Sequence, residues 1–198
     1  MSKNAHAGGI AGLLKRINIE HIWALAAIIG VFAFVSTHPI RPHDFWWHMA
    51  LGREILDSGH IPAVDTYSYT ATGQPYPSYQ AFWLMDVILY QVYMAGGAEL
   101  IVFFHSVTIT TAYATVMWLC HRLTGNWRPA ALGALFAAAL GLNDFNVRPQ
   151  AIAFPIATIF LLAMHQYGQT RRRGWLAVFP VGMLLWVNCH GTFPSACC

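Results

Sequence analysis

Three short strings in this chain carry side chains able to do acid–base or anion-binding chemistry. The first is His43-Asp44-Phe45-Trp46-Trp47-His48. The second is Asn143-Asp144-Phe145-Asn146-Val147-Arg148-Pro149-Gln150, and the third is Asn188-Cys189-His190-Gly191. Asp44 and His48 stand four residues apart, so on a helix they share a face. There they could hold one divalent metal ion, pair with each other, or act as a base and its orienter. Asp44 equally suits the N-cap of the helix that follows. Arg148 could grip a phosphate through charge-assisted bonds, or snorkel from a membrane edge. His190 is either a pocket residue or a hydrogen-bonded structural histidine. Trp46 and Trp47 are expected to anchor at an interface rather than stack on a sugar.

Such groups need elements to carry them, and the composition says in what solvent. Of 198 residues, 57% are hydrophobic and 10% charged, against about 25% charged in soluble domains. Mean hydropathy is +0.46. Lipid is the expected surrounding, with membrane lipids as partners. A formal charge of +3 is too small to imply a nucleic-acid partner. The four cysteines show no CxxC spacing, which speaks against a zinc site or a disulfide framework. Cys197 and Cys198 are read as an incidental tail rather than a palmitoylation site.

The pattern predicts an all-α polytopic transmembrane bundle forming a single membrane domain over 1–198. Residues 1–20 form a cytoplasmic or interfacial N-terminus, with a short interfacial helix at 10–19. An uncleaved first span covers about 21–39. Residues 40–97 make an outer loop with two amphipathic helices, 44–58 and 78–94. Four further spans fill 98–193, at about 99–120, 129–147, 150–167 and 175–190, giving about five in all. Asp86, inside the apolar run of the second loop helix, is expected to face water or a partner. His105 and His165, within spans, are expected to be packed and hydrogen-bonded; ligation of a haem or chlorophyll by one of them is the minor alternative.

Charge bias sets the expected orientation. With the N-terminus in the cytoplasm, Lys3, Lys15, Arg16, Arg122, Arg128, Arg171, Arg172 and Arg173 fall inside, and Arg41, Arg53 and Arg148 fall outside. A sixth span at 78–94 would move the Arg171–Arg173 run outside, which argues against it. This topology brings the three reactive strings to one outer face of a bacterial inner membrane.

At this point the residues resemble a family. Asp44-Phe45-Trp46-Trp47-His48, then Gly59-His60-Ile61-Pro62 and Asp65-Thr66-Tyr67-Ser68-Tyr69, with Arg148-Pro149-Gln150 and Asn188-Cys189-His190-Gly191, look like bacterial membrane proteins related to the GT-C glycosyltransferases. The match runs from about 20 to 193 and corresponds to an N-terminal, truncated portion of such proteins. The resemblance implies an outer-facing site and a polyprenyl-phosphate-linked sugar as donor. Asp44 would be the catalytic base, or a metal ligand with His48. Arg148 would face the donor phosphate, and Gln150, Asn188 and His190 would line the pocket. No cofactor is implied beyond a possible divalent metal. Two motif positions depart from the family pattern: Trp46 stands where an acidic pair would be completed, and Gln80-Ala81-Phe82-Trp83 lacks a glutamate. Those departures, and the stop after the fifth span, leave a second expectation open, a non-catalytic accessory subunit of a larger membrane complex with other membrane subunits as partners. The spans lack the paired broken helices of a transporter.

Overall fold

The computed structural model describes residues 19–41, 44–76, 81–141 and 145–192. The helix expected at 10–19, apart from Ile19, lies outside the described residues. So do His43, Gln80, Asn143, Asp144 and the Cys197–Cys198 pair. The described chain is all-helical, with one isolated bridge between Val64 and Pro75. In order, the helices are α1 (Ile19–Ser36), α2 (Phe45–Ser58), α3 (Trp83–Thr124), α4 (Trp127–Leu140), α5 (Ala153–Thr170) and α6 (Val178–Cys189). Short 3₁₀ turns, Pro149–Ile152 and Arg173–Ala177, lead into α5 and α6.

Helix α3 is the axis of the molecule, because it packs against every other helix. Its two arms meet at Gly96–Gly97, where the helical geometry is lost. Gly97 has φ +66°, a left-handed value that costs glycine nothing and an L side chain about 1–2 kcal/mol. The arm before the kink packs on α2. The arm after it packs on α1, α4 and α5.

Helices α1 and α4 pack on each other through small residues. Buried positions on α1 are Ala24, Ala27, Val31 and Val35, spaced three, four and four residues apart. Ala24 and Ala27 meet Ala130, Ala131 and Ala134 of α4 around Met117 of α3, while Val31 and Val35 pack with Ala138 of α4 and Ile109 of α3. The large apolar side chains face outward instead: Leu25, Phe136 and Leu140 are 57%, 67% and 73% exposed. Small residues inside and large ones outside is the arrangement of helices that pack in lipid, where burying leucine gains nothing.

Among the described residues, three helices are long and apolar enough to cross a membrane: Ile19–Ser36, Trp83–Thr124 and Pro149–Thr170. Trp127–Leu140 and Arg173–Cys189 are apolar but shorter. The span expected at 129–147 therefore ends early. Gly141 caps α4, its N–H reaching the carbonyls of Ala137 and Ala138. The Phe145–Arg148 segment that follows is irregular and is pinned by His105, whose Nε2 donates to the Phe145 carbonyl at 3.1 Å. That bond occupies the nitrogen that haem ligation by His105 would use.

The molecule has two polar ends. At one, Arg128 Nε meets Glu20 Oε1 at 2.7 Å, and the His121 and Trp127 rings stack at 3.8 Å across the α3–α4 corner. At the other lie the loop after α1, helix α2, the start of α3, the Pro149–Ile152 turn and the end of α6.

Candidate functional site

The second polar end gathers the reactive residues. Asp44 stands at the N-cap of α2, but its side chain makes no capping bond. It meets Arg148 Nε at 3.1 Å instead, with both side chains about one-third exposed (34% each). This contact is an ion pair without hydrogen-bond alignment, since the Arg148 Nε–H finds no acceptor in line. Residues more than a hundred positions apart are thereby joined.

His48 takes a different partner. Its Nδ1 lies 2.7 Å from Asp86 Oδ1, with both side chains buried and Asp86 entirely so. Asp44 and His48 are therefore not paired with each other, although they are four residues apart. Asp86 was expected to face water or a partner; it is buried, and the partner is His48 inside the protein. Its second oxygen, Oδ2, has no partner among the described residues.

Glycine makes this pair possible. Gly52 lies one helical turn after His48, and a Cβ placed on it would come within 2.2 Å of the Asp86 carbonyl oxygen. Only hydrogen at that position lets α2 lie on the α3 backbone closely enough for His48 to reach Asp86. Phe45, Met49, Met85 and Leu89 pack in one core at the same contact.

The end of α6 closes the cluster. The Thr192 N–H donates to His190 Nδ1 at 3.2 Å, which makes Nδ1 the acceptor and puts the ring proton on Nε2. Burial lowers the pKa of His190 below its ordinary value, and nearby His48 lowers it further; Asp44 opposes them. His190 thus senses the charge of both His48 and Asp44.

Two further residues of the expected site behave differently. Asn188 accepts from Trp83 Nε1 at 2.8 Å and donates to the Leu184 carbonyl, so it ties α6 to the start of α3. Gln150 lines a groove with Phe154, Trp186 and Thr192. Trp47 is not simply an interfacial anchor: it stacks on His48 with ring centroids 3.9 Å apart and packs edge-on against Phe82. Trp46 is half exposed.

The possible divalent metal has no three-residue ligand set of His, Cys, Asp or Glu among the described residues, and the expected ligands Asp44 and His48 are turned to different partners.

Asp86 is the residue that sequence reasoning missed. Its signal was present, because a lone carboxylate in an apolar helix has to find a partner, but nothing local said that the partner was 38 residues earlier. No protein-family model, curated protein or solved structure matches this chain.

Proposed function

We propose that this chain is a GT-C-like membrane glycosyltransferase module, working on a polyprenyl-phosphate-linked sugar at the extracytoplasmic face. About five helices cross the membrane in this reading. The two short apolar helices complete the bundle beside the three long ones, and the N-terminus is cytoplasmic. The observation that carries it is the Asp44–Arg148 pair, a partly exposed carboxylate and guanidinium beside the buried His48–Asp86 pair and His190.

The chemistry follows from that pairing. In the free chain each charge neutralises the other. A donor phosphate entering the site competes for Arg148, since guanidinium binds phosphate in a fork. Asp44 is then released to take the proton of an acceptor hydroxyl. The hydroxyl oxygen forms its bond to the anomeric carbon as the bond to the phosphate oxygen breaks. The leaving phosphate keeps the electron pair, held by Arg148, and the anomeric centre inverts. Asp44→Asn in proteoliposomes given polyprenyl-phosphate sugars and an acceptor should lose transfer. Undiminished transfer removes Asp44 from the mechanism.

One observation favours the accessory-subunit reading. Both carboxylates of the cluster already have partners within the chain, Asp44 with Arg148 and Asp86 with His48, as a purely structural end cap requires. Native mass in mild detergent separates the two. A chain that runs alone or as a homo-oligomer fits the enzyme; a fixed ratio with other membrane subunits fits the accessory role.

A further inference from the structure

Helices α5 and α6 leave a groove of about 410 Å³ between them, edged by Ile159, Val181 and Leu185 and reaching Gly174. Immediately before Gly174 stand Arg171, Arg172 and Arg173. We propose that this groove holds one acyl chain of a membrane phospholipid with a net negative headgroup, its phosphate gripped by Arg172 and Arg173. The proposal rests on the membrane setting of the reading above and takes nothing from the transferase chemistry. Its charged end is a helix length from the Asp44–Arg148 pair, since Arg148 precedes α5 and Arg171 follows it.

The turn that carries the arginines is fixed. Arg171 has φ 54°, the one positive value at a non-glycine residue among the described residues, in a region that L side chains rarely adopt. Its N–H closes α5 on the Tyr167 carbonyl at 2.8 Å, and its guanidinium lies 5.9 Å from the Tyr167 ring centroid. The Trp175 N–H reaches the Arg172 carbonyl at 3.2 Å. Arg172 and Arg173 are exposed, and neither pairs with a carboxylate among the described residues. Glu20, the carboxylate at that polar end, is already on Arg128 at 2.7 Å. The counter-charge for this run therefore comes from outside the chain, and anionic headgroups supply it to arginines at a membrane surface.

The groove suits an alkyl chain better than a helix. Every residue lining it is apolar. Phe160 is packed against Gly182, where an added Cβ would come within 2.3 Å of its Cε1, and its ring meets that of Phe179 at 5.0 Å. The rim residues Ile159, Val181 and Leu185 are 41%, 60% and 47% exposed. Helices that pack in lipid meet through small residues, whereas this rim is bulky and branched, and a flexible chain fits between such side chains. At the arginine end the groove is open, because nothing lies within 4 Å of a Cβ added at Gly174. From Gly174 to Leu185 the backbone rises roughly 18 Å, close to the roughly 15 Å of hydrocarbon in one leaflet. A chain that starts at the arginines thus ends near the bilayer midplane.

The test is lipid retention. The full chain, delipidated in a nonionic detergent, is offered equal amounts of dioleoyl phosphatidylglycerol and dioleoyl phosphatidylcholine and read by native mass spectrometry. Phosphatidylglycerol should be retained about fivefold or more over phosphatidylcholine, the worth of one arginine at an anionic headgroup. Arg172→Gln/Arg173→Gln should bring the two lipids to parity. Arg53→Gln/Arg122→Gln removes the same charge elsewhere and should keep the preference. Ala177→Phe, at an exposed residue that lines the groove, fills it and should lower the phosphatidylglycerol retained. A large excess of glycerol 3-phosphate, a headgroup without chains, should displace none. Asp44→Asn should retain lipid as the parent does even where transfer is lost, so failure of the transferase reading leaves this result standing. Parity in the parent, a preference that survives Arg172→Gln/Arg173→Gln or vanishes equally in the control, unchanged retention by Ala177→Phe, or displacement by glycerol 3-phosphate overturns the proposal. So does a parent dimer that Ala177→Phe makes monomeric, which would put a second copy in the groove.

Discussion

Two ion pairs at the same end of the molecule differ in solvent, and that difference governs what removing them does. His48 and Asp86 are buried. Taking away one member leaves the other desolvated and alone, which costs about 3–5 kcal/mol. Asp86→Ala should lower the apparent melting temperature sharply in detergent, whereas the apolar double variant His48→Phe/Asp86→Leu should recover much of it. Asp44 and Arg148 are a third exposed, and exposed pairs contribute about 0–1 kcal/mol. Arg148→Gln should therefore melt close to the parent while losing transfer. His190 adds a pH dependence. Its pKa is below the ordinary 6.5, so the unfolded chain takes up the proton first as pH falls. Its contribution is fully present above about 6.5 and is lost below that. Melting at pH 7.5 and 5.5 should show a drop that His190→Gln reduces.

At the scale of elements, the contact between α2 and α3 depends on an atom that is absent. Gly52→Ala puts a methyl 2.2 Å from the Asp86 carbonyl oxygen and 2.9 Å from Tyr90 Cβ. The helices must separate, at about 1–3 kcal/mol for overpacking, and His48 moves away from Asp86. Gly133→Ala is the control: nothing lies within 4 Å of the added carbon, and alanine favours a helix by about 1 kcal/mol. Melting curves of the two variants should shift in opposite directions. The helix at 44–58 was legible from its alternation of apolar and polar residues, and it is found at Phe45–Ser58. The one predicted at 78–94 was harder to bound. It continues through Gly96–Gly97 into the next helix, because two glycines bend an apolar run without ending it. Spacing suggested that Asp44 and His48 act together; tertiary contacts with Arg148 and Asp86 overrode it, and no local pattern encodes those.

For the molecule as a whole, the inside-out distribution of side chain sizes says more than total hydropathy did. Apolar composition announced lipid as solvent, but helix ends depended on caps, and Gly141 caps α4 at 14 residues. Orientation is open to a direct check. Tyr69→Cys places a thiol at a position of the loop between α2 and α3 that is 99% exposed. With the N-terminus in the cytoplasm, an impermeant maleimide should label it in intact cells above the level of the parent. Labelling only after lysis reverses the orientation and with it the extracytoplasmic site.

The alanine seam between α1 and α4 also sets a timetable. Its two halves, Ile19–Ser36 and Trp127–Leu140, are separated by 90 residues, from 37 to 126. At about 5–20 residues per second of synthesis, the seam on α1 waits roughly 5–18 s in the nascent chain before its mate exists. Through that interval Ala24 and Ala27 are an uncovered, close-packing strip, open to any other helix that passes. The order in which the chain is made thus leaves this close helix contact to form well after its first half is built.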